Sequence, residues 1–496
     1  MREKFLPVAV FFILVWSISS VALLPVKVKA QSQIYIRADG SIEPSGTPVY
    51  TEDKVTYFLN GSLDGSIIVE RDHILINGTG FMIKGDDTGR GITLVGINNV
   101  TVASLRIDSF EFGVWVNASS WVKILDSRIS SNGNYGVWVG FSSDVTVNGN
   151  NITSNERGIA FNMGTKNSVI TRNRVLNNQG GIGLTGTTAS TVAYNHISGS
   201  LNGISLLFSA NHNMVYRNNI TSSYSTAAIQ IAASAQNRIW ENNIYSNSQE
   251  GILLDYSPNN SITANTVKGN KYGIKLLSSN GNTIYNNNFI DNSKNVVSNN
   301  SYMNMWDSGS ELGGNYWSDY DGADSNRDGI GDLPLIIDAG NIDQYPLKGI
   351  FSYWNVTADH RLIVVSNSTI EQATYFETNS TLKMKVSNMT VDQLFGFCRV
   401  CVSENLMSPP YSVVIDSGST VVLNFNGTLY YNGTHRWIYF AYPHSTHIVE
   451  IIPESSNNVI VLAYILVFLV VATCRRKKPT RLSQSPAQLP SSRRLR

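Results

Sequence analysis

Residues 150–195 have the sequence NNITSNERGIAFNMGTKNSVITRNRVLNNQGGIGLTGTTASTVAYN, which contains two copies of one short pattern. In each copy an Asn lies two residues before an apolar residue, and a glycine eight residues after that Asn begins an apolar–variable–apolar run. Alternation over runs this short indicates β-strands that each bury one face. Helical repeats of similar length need long stretches with a 3.6-residue period, and this segment contains none.

The same pattern extends in both directions along the chain with spacings of 22 to 24 residues. A unit of two or three such strands cannot bury its apolar residues alone, so successive units must stack, each strand pairing in parallel with its equivalent one repeat later. The sequence therefore predicts an all-β fold, a right-handed parallel β-helix of about nine or ten coils. The repeat is defined by an Asn column (Ser127, Asn150, Asn173, Asn195, Asn218, Asn242, Asn265, Asn287) and a glycine column (Gly113, Gly136, Gly158, Gly181, Gly203, Ala228, Gly251, Gly273).

Two residue types suit the turns between these strands. Asn tolerates the left-handed backbone of sharp corners, and stacked Asn side chains can form hydrogen bonds from one coil to the next. Glycine fits where a side chain would clash with its surroundings. We therefore expect ladders of Asn side chains along the solenoid and close backbone contacts at the glycine column.

The chain outside the repeats divides by its pattern. From residue 353 to residue 453, alternating apolar runs recur every 8 to 14 residues, which is typical of a small β-sandwich. We predict seven segments in chain order: a signal peptide (1–30), N-terminal strands that cap the β-helix (31–72), β-helix repeats (73–309), a C-terminal cap with an Asp- and Gly-rich loop (310–349), a β-sandwich stalk (350–456), a transmembrane helix (457–474) and a basic cytoplasmic tail (475–496).

Both ends of the chain have the composition of membrane-targeting segments. A positive start, an apolar run and a small-residue cleavage site make residues 1–30 typical of a secretory signal peptide, with an uncleaved anchor as the alternative. The apolar residues 457–474 precede a basic tail, which is the arrangement of a C-terminal transmembrane helix. We therefore predict a cell-surface protein that is exposed outside the cell and anchored in the cytoplasmic membrane by its C-terminal helix.

The predicted extracellular part is acidic. The whole chain has 37 Lys and Arg against 36 Asp and Glu, but the part between the signal and the tail keeps 25 against 35. An acidic surface disfavours nucleic acid as a partner and suits cations or neutral molecules. About fourteen N-x-S/T sequons in this part permit glycosylation, so we predict a glycoprotein.

These features resemble those of the NosD-like β-helix proteins, which belong to a wider class of carbohydrate-binding proteins and sugar hydrolases. The resemblance is carried by the opening IYIRADGSIEP, the repeated N-x-I and G-I-x-L coils, and the closing GGNYWSDYDGADSNRDGIGDLPLIIDAGNIDQYPL, which together span Ile34 to Leu347. It implies a right-handed β-helix outside the cell, and the anchored arrangement is similar to that of archaeal surface proteins. The family is named for a role in supplying copper to nitrous oxide reductase. Most members with this arrangement resemble proteins outside that pathway, so copper delivery is kept as an alternative.

The closing block contains a second pattern, D-x-N-x-D-G-x-G-D. Its spacing resembles the short calcium loops of dockerin-like and thrombospondin repeats, and it lacks the glutamate that ends an EF-hand loop. Because alternate oxygen ligands suit Ca²⁺, we predict a structural calcium ion that locks the cap, with a turn that needs no metal as the alternative. The predicted ligands are Asp324, Asn326, Asp328, the Ile330 carbonyl and Asp332.

Patterns for catalysis and for copper are weak. Glycosidases need two carboxylates about 5 to 10 Å apart, and among the sparse acids of the repeats only Glu250 and Asp255 flank one strand. Copper favours clustered His, Met or Cys, and His212 with Met214 is one isolated pair. We therefore predict no catalytic residues and no copper site.

Outward positions of the predicted strands carry aromatic side chains. Trp115 and Trp138 lie one coil apart, about 4.8 Å, and small residues follow them. Tyr216 and Trp240 form a second adjacent pair. Flat aromatic faces beside a polar groove suit sugar rings, whereas aromatics that only stack on each other or cover the backbone are the alternative.

The function predicted from the sequence is non-catalytic binding of a polysaccharide or surface glycan. The alternatives are a polysaccharide lyase or glycoside hydrolase of the β-helix class, a metal-delivery factor, and a structural envelope protein. A carboxylate pair in a groove would favour the enzyme, and clustered His and Met would favour metal delivery.

Overall fold

A computed structural model describes residues 32–390 and 392–454, which form two compact units that meet at Asn260 and Ser261. The predicted signal peptide, transmembrane helix and cytoplasmic tail lie outside the described residues. Among the residues that are described, no helix combines the length and the apolar composition that a membrane span requires.

The first unit consists of short β-strands in a regular order. After a short antiparallel start, each coil contributes three strands. The strands are β1 (Ser32–Ile36), β2 (Ile42–Glu43), β3 (Val49–Thr51), β4 (Thr56–Leu59), β5 (Leu63–Val69), β6 (Leu75–Asn77), β7 (Met82–Lys84), β8 (Arg90–Val95), β9 (Thr101–Ala103), β10 (Arg106–Asp108), β11 (Phe112–Asn117), β12 (Lys123–Leu125), β13 (Arg128–Ser130), β14 (Tyr135–Gly140), β15 (Thr146–Asn148), β16 (Asn151–Thr153), β17 (Arg157–Phe161), β18 (Val169–Thr171), β19 (Arg174–Leu176), β20 (Gly180–Thr185), β21 (Thr191–Ala193), β22 (His196–Ser198), β23 (Asn202–Leu207), β24 (Met214–Tyr216), β25 (Asn219–Thr221), β26 (Ile229–Ala232), β27 (Arg238–Trp240), β28 (Asn243–Tyr245) and β29 (Glu250–Asp255).

These strands stack into three parallel faces, which confirms the predicted parallel β-helix. The long face contains β8, β11, β14, β17, β20, β23, β26 and β29, the second face runs from β9 through every third strand to β27, and the third face runs from β10 to β28. Each strand pairs in parallel with its equivalent one coil later, for example Ile124 with Val147 and Val147 with Ile170, all fully buried. Within the described residues the solenoid has about 11 coils rather than nine or ten, because β1 and β5 also join the stack.

The Asn column forms the predicted ladder. Asn173 donates from Nδ2 to Oδ1 of Asn195 at 3.0 Å, and Asn195 donates in the same way to Asn218 at 3.0 Å. Each amide also donates to backbone carbonyls at the turn, such as Asn195 to Ile170 at 3.0 Å. The ladder therefore satisfies peptide groups that the corner would otherwise bury without partners.

The corner between the second and third faces corrects one detail of the prediction. The left-handed residue is the one that precedes the Asn: Arg172 has φ 54°, Tyr194 58° and Arg217 52°. Asn therefore stabilises the corner through its side-chain hydrogen bonds rather than by adopting the left-handed backbone. At the glycine column, a Cβ added to Gly113 would lie 2.6 Å from the carbonyl oxygen of Gly136, so a side chain is excluded there, as predicted.

The second unit contains further coils, a cap and a sandwich. Its elements are β30 (Ser261–Thr263), β31 (Thr266–Lys268), β32 (Tyr272–Leu277), β33 (Thr283–Tyr285), β34 (Asn288–Ile290), β35 (Lys294–Asn299), α1 (Gly309–Leu312), β36 (Tyr316–Trp317), β37 (Leu335–Asp338), β38 (Asn341–Asp343), β39 (Ile350–Asn355), β40 (Arg361–Ser366), β41 (Thr369–Phe376), β42 (Thr381–Ser387), β43 (Phe395–Ser403), β44 (Tyr411–Ile415), β45 (Asn424–Tyr431), β46 (His435–Pro443) and β47 (His447–Pro453), with a 3-10 turn at Asp416–Gly418.

The predicted sandwich is present in the second unit as two antiparallel sheets. One sheet has the order β39-β40-β43-β46-β45 and the other β41-β42-β47-β44. Buried residues from both sheets, including Leu362, Val400 and Ile451, form one core. Cys398 and Cys401 are free and buried in β43, as expected for a strand that holds them too far apart to form a disulfide.

Aromatic side chains close the core of the cap. Trp317 is 1% exposed and stacks on Phe289, with ring centroids 4.6 Å apart. The buried carboxylate of Asp343 accepts hydrogen bonds from the Trp317 indole N–H and the Asn315 backbone N–H, both at 2.8 Å. The block that begins at Gly313 therefore ends the apolar core with aromatic rings and a buried acceptor.

Candidate functional site

A hollow lies on the long face, where outward side chains change from large to small. The register places Trp115 beside Trp138, and Trp138 beside Ala160. Gly183 and Ser205 continue this column over the next two coils. Because no large side chain fills these positions, the surface forms a depression of about 270 Å³. Small-ligand pockets are typically about 300–1,000 Å³, so this hollow suits one or two small rings.

The walls of the hollow come from the two ends of the same strands. Side chains at the strand starts form one wall, and side chains at the strand ends form the other. The floor is Ala160, Gly183 and Ser205, the first wall is Tyr135, Arg157 and Asn202, and the second wall is Asn162, Thr185 and Leu207. The walls thus supply amide, hydroxyl and guanidinium groups around an apolar floor, which is the composition that hydroxyl-rich ligands require.

The two tryptophans form a stack in the column that continues into the floor of this hollow. Their ring centroids are 3.8 Å apart and their planes differ by 10°. The Arg90 guanidinium lies 4.0 Å from the centroid of Trp115, on the coil before it. Trp115 is therefore covered from two sides, whereas Trp138 has its second side toward the coil of Ala160. The aromatic side chain that lines the hollow itself is Tyr135, and the tryptophan pair is its neighbour in the column that forms the floor.

The second predicted pair lies on another face of the solenoid. Tyr216 and Trp240 stack at 4.4 Å with planes 16° apart, and Tyr194 packs edge-on against Tyr216 at 5.6 Å. Arg217 donates to the Tyr194 hydroxyl at 2.8 Å and pairs with Glu241 at 2.6 Å. Aromatic, guanidinium and carboxylate groups here satisfy one another, so this cluster offers less open surface than the hollow does.

Several wall residues were missed by the sequence analysis. Arg157 begins β17 and Asn162 follows its last residue, and neither position was singled out although the Arg157 column contains Tyr135 and Phe112 on the preceding coils. The Asn162 amide nitrogen is buried without a hydrogen-bond partner, which leaves a donor at the wall. Beside this wall Met163 and Phe208 are 63% and 68% exposed, and Phe208 has a left-handed φ of 51°, a strained position for a bulky residue. Exposed apolar residues in such turns were a signal that sequence periodicity alone does not show.

The acids of the repeats form no catalytic pair at this hollow. Glu250 and Asp255 are the first and last residues of β29, about 16 Å apart along an extended strand. No carboxylate lines the hollow within the described residues. Elsewhere, burial opposes ionisation of Asp108, but hydrogen bonds from Ser130 and Ser109 outweigh it and lower the pKa of that carboxyl. A general acid needs the opposite shift.

The predicted calcium loop is folded around its first aspartate. Asp324 accepts hydrogen bonds from the backbone N–H groups of Asp328 and Gly329, each at 3.0 Å. Asp328 accepts from the Ile330 N–H at 2.8 Å, and Asn326 donates to Asp328 at 3.0 Å. Asp332 accepts from the Ser325 N–H at 2.9 Å. The five predicted ligands therefore belong to one tight turn.

The loop combines aspartate carboxylates with a buried arginine of opposite charge. Burial, and to a smaller extent the Asp328 carboxylate, raise the pKa of Asp324 despite its amide hydrogen bonds. Arg399 is 2% exposed beside the loop, where a Cβ on Gly329 would lie 3.2 Å from its own Cβ. Burial lowers the pKa of Arg399 to about 10, while Asp328 and Asp324 oppose that change. A buried protein cation thus shares the loop with the predicted metal.

The fold and the hollow together define a parallel β-helix protein with an aromatic-walled surface site on its long face. A family model described as "Periplasmic copper-binding protein (NosD)" matches residues 72–249 and 207–322, together just over half of the chain. The chain belongs to the NosD family. No curated protein sequence matches it.

Solved structures with a similar fold share little sequence with this chain. The periplasmic alginate epimerase AlgG is 16% identical with a TM-score of 0.35, over 51% of this chain and 68% of the epimerase. DFA-IIIase from Arthrobacter chlorophenolicus A6 is 17% identical with a TM-score of 0.35, over 40% of this chain and 56% of that enzyme. ORF18 of Geobacillus virus E2 is 12% identical with a TM-score of 0.34, over 69% of this chain and 64% of the viral protein. This chain thus spans about half to two thirds of these proteins, and likenesses this distant say nothing about its activity.

The family description names copper, and the described residues do not fit a copper site. In residues 32–390 and 392–454 no group of three or more His, Cys, Asp or Glu side chains is placed so that it could hold a metal ion, the folded Asp-rich loop included. Burial raises the pKa of Cys398 to about 11 and of Cys401 to about 12, which disfavours the thiolates that bind soft metals. His196 lies on the third face and Met214 on the second. No copper chemistry is therefore assigned to these residues.

Proposed function

We propose that the protein binds a polysaccharide segment without cleaving it, through the hollow on the long face, at the outer surface of the cell. The observation that carries this proposal is a hollow with a floor of small residues and with Tyr135, amide and hydroxyl groups in its walls, in the same column as the stacked Trp115 and Trp138. A sugar ring has an apolar C–H face and a hydroxylated rim, so the two kinds of surface match. The predicted segment 457–474 would hold this site near the membrane.

Binding is favoured over catalysis by the charges at the site. β-Helix lyases and hydrolases act through groups that donate and abstract protons, and glycosidases place two carboxylates about 5 to 10 Å apart. The walls described above hold one guanidinium and no carboxylate. A polysaccharide lyase or glycoside hydrolase remains the second candidate, and product analysis distinguishes the two.

Replacing Trp138 with Ala is expected to weaken glycan binding about fivefold to tenfold, because stacking and apolar contact on one face of an aromatic ring contribute roughly 1–1.5 kcal/mol. The full-length protein would be incubated with a panel of neutral and acidic polysaccharides. Retention of the protein on each polysaccharide and the chain length of the released products would both be measured.

The matched control is Trp240→Ala, which removes an aromatic stack of similar geometry on the second face. Equal losses in the two variants would contradict the placement of the site in the hollow. Shortened polysaccharide chains would contradict the non-catalytic proposal. If the wild-type protein binds no polysaccharide at all, a structural envelope role becomes the better account.

Calcium binding by the cap loop stays a prediction, and we propose a structural role for the ion. The support is the arrangement of Asp324, Asp328 and Asp332 in one turn that resembles known calcium loops. Adding calcium to chelator-treated protein is expected to raise its thermal unfolding midpoint by several degrees, because an ion that binds only the folded loop stabilises it. Asp324→Asn should abolish that rise. If added calcium does not change the thermal unfolding midpoint, the positive charge of Arg399, rather than a metal ion, compensates the negative charge of the loop.

A further inference from the structure

We propose that the glycan recognised by the hollow carries carboxylate groups, as uronic acid chains do, and that Arg157 pairs with one of them. This inference rests on the proposed function and adds the chemical class of the ligand. Its basis is that the only charged side chain among the described lining residues is a cation without a carboxylate partner in the described part of the chain.

Arg157 is held at the wall by an aromatic neighbour. Its guanidinium donates to the Tyr135 hydroxyl and lies 5.2 Å from the centroid of that ring. A guanidinium has five N–H donors, so most remain for a ligand after this one bond. Some other arginines are paired with carboxylates: Arg37 pairs with Glu43 and Glu70, and Arg217 pairs with Glu241. The wall cation is oriented by a neutral group and keeps its charge uncompensated.

The glycine on the coil after Arg157 lets the arginine side chain lie against the strand. Gly180 is the register partner of Arg157, and a Cβ added there would lie 3.3 Å from Arg157 Cγ. The next residue in this column, Asn202, donates to Ser205 at 3.1 Å. Because Arg157 lines the open hollow, a planar carboxylate bound there can accept two parallel N–H bonds from the guanidinium, the geometry that arginine favours.

The acidic net charge of the protein does not oppose this binding at close range. At physiological salt, charges on the surface are screened beyond about 8 Å. The nearest acid in sequence is Glu156, which lines a separate depression around the corner with Asn177 and Gln179. The local field in the hollow is therefore set mainly by Arg157.

The test compares glycans that differ only in charge. Binding of the full-length protein to polygalacturonate and to its fully methyl-esterified form would be measured at about 150 mM salt, a level that screens distant charges. We expect the acid form to bind about tenfold more tightly, since a charge-assisted bidentate pair is lost on esterification. Arg157→Gln should remove this preference, so that the variant binds acid and ester equally, whereas Arg128→Gln, at an exposed position of the third face, should keep the preference.

Several results would overturn the proposal. Equal binding of acid and ester by the wild-type protein would remove the carboxylate requirement while leaving glycan binding intact. Equal losses in the Arg157 and Arg128 variants would indicate general electrostatic attraction. An Arg157-dependent preference for dextran sulfate over dextran, without a preference for polygalacturonate, would replace carboxylates by sulfate esters. Failure to bind any of these glycans would instead contradict the proposed function itself.

Discussion

Replacing Asp343 with Ala is expected to lower the free energy of unfolding of the cap by about 4 kcal/mol. Asp343 is fully buried, and its carboxylate accepts from the Asn315 N–H, the Trp317 indole N–H and, at 3.2 Å, the Tyr345 N–H. Each buried donor that loses its acceptor costs about 1–3 kcal/mol. Hydrogen exchange of residues 306–347, followed by mass spectrometry, would measure the local effect.

Two variants make this result interpretable. Asp359→Ala removes an exposed carboxylate of the sandwich and should change stability by less than about 0.5 kcal/mol. Asp343→Asn keeps one acceptor oxygen but turns an N–H group toward backbone donors, so an intermediate loss is expected. Unchanged exchange rates in the Ala variant would show that the cap does not depend on this buried acceptor.

The same carboxylate predicts how the stability of the cap changes with pH. Burial raises the pKa of Asp343 to about 6, although hydrogen bonds from Asn315, Trp317 and Tyr345 oppose the shift. Because the folded state then binds the proton more tightly than the unfolded state, this group adds stability as the pH falls from 7 to about 4, by up to about 3 kcal/mol. The contribution is complete below the unfolded pKa and is lost as the pH rises through 6. The Asn variant should lack this dependence.

The repeats could be predicted from sequence because their signal is periodic. Every 22 to 24 residues the chain repeats the same buried column, so one alignment fixes the strands, the register and the Asn ladder together. The neighbouring positions of Trp115 and Trp138 followed from the same alignment. The neighbours of a residue in a repeat can be predicted because the fold places equivalent positions of successive repeats side by side.

The remaining features depend on contacts that have no period. Asp343 lies 28 residues from Asn315 and belongs to no repeat, so no column identified it as the acceptor of the cap. Arg157 and Asn162 line the hollow beside Ala160, Gly183 and Ser205, which form one column of small residues, so the site combines this column with residues from neighbouring positions. Arg399 approaches the Asp-rich loop through the packing of the cap and the sandwich within the second unit. Sequence pattern therefore predicts the scaffold better than the sites on it.

Asn195→Ala is expected to be the most damaging substitution in the solenoid, with a loss of about 4 kcal/mol in the free energy of unfolding of the first unit. The Asn195 oxygen accepts from the backbone N–H of Asn173 at 2.9 Å and from its side chain at 3.0 Å. Its nitrogen donates to the Ile170 and Ala193 carbonyls and to Asn218. Alanine would leave these groups buried without partners, at about 1–3 kcal/mol each before local relaxation.

The hydrogen bonds of the Asn ladder also predict which substitution of Asn195 lowers the free energy of unfolding most. Asn195→Asp should cost more than Asn195→Ala, because a buried carboxylate would face the Ile170 and Ala193 carbonyls with no proton to donate. Asn243→Ala, which removes an exposed amide from the third face, should be nearly neutral. Urea unfolding and hydrogen exchange of residues 147–220 would measure these differences. If the Ala variant loses less than about 1 kcal/mol, or if Asp is the milder change, the ladder is not what holds the corners, and apolar stacking alone must be sufficient.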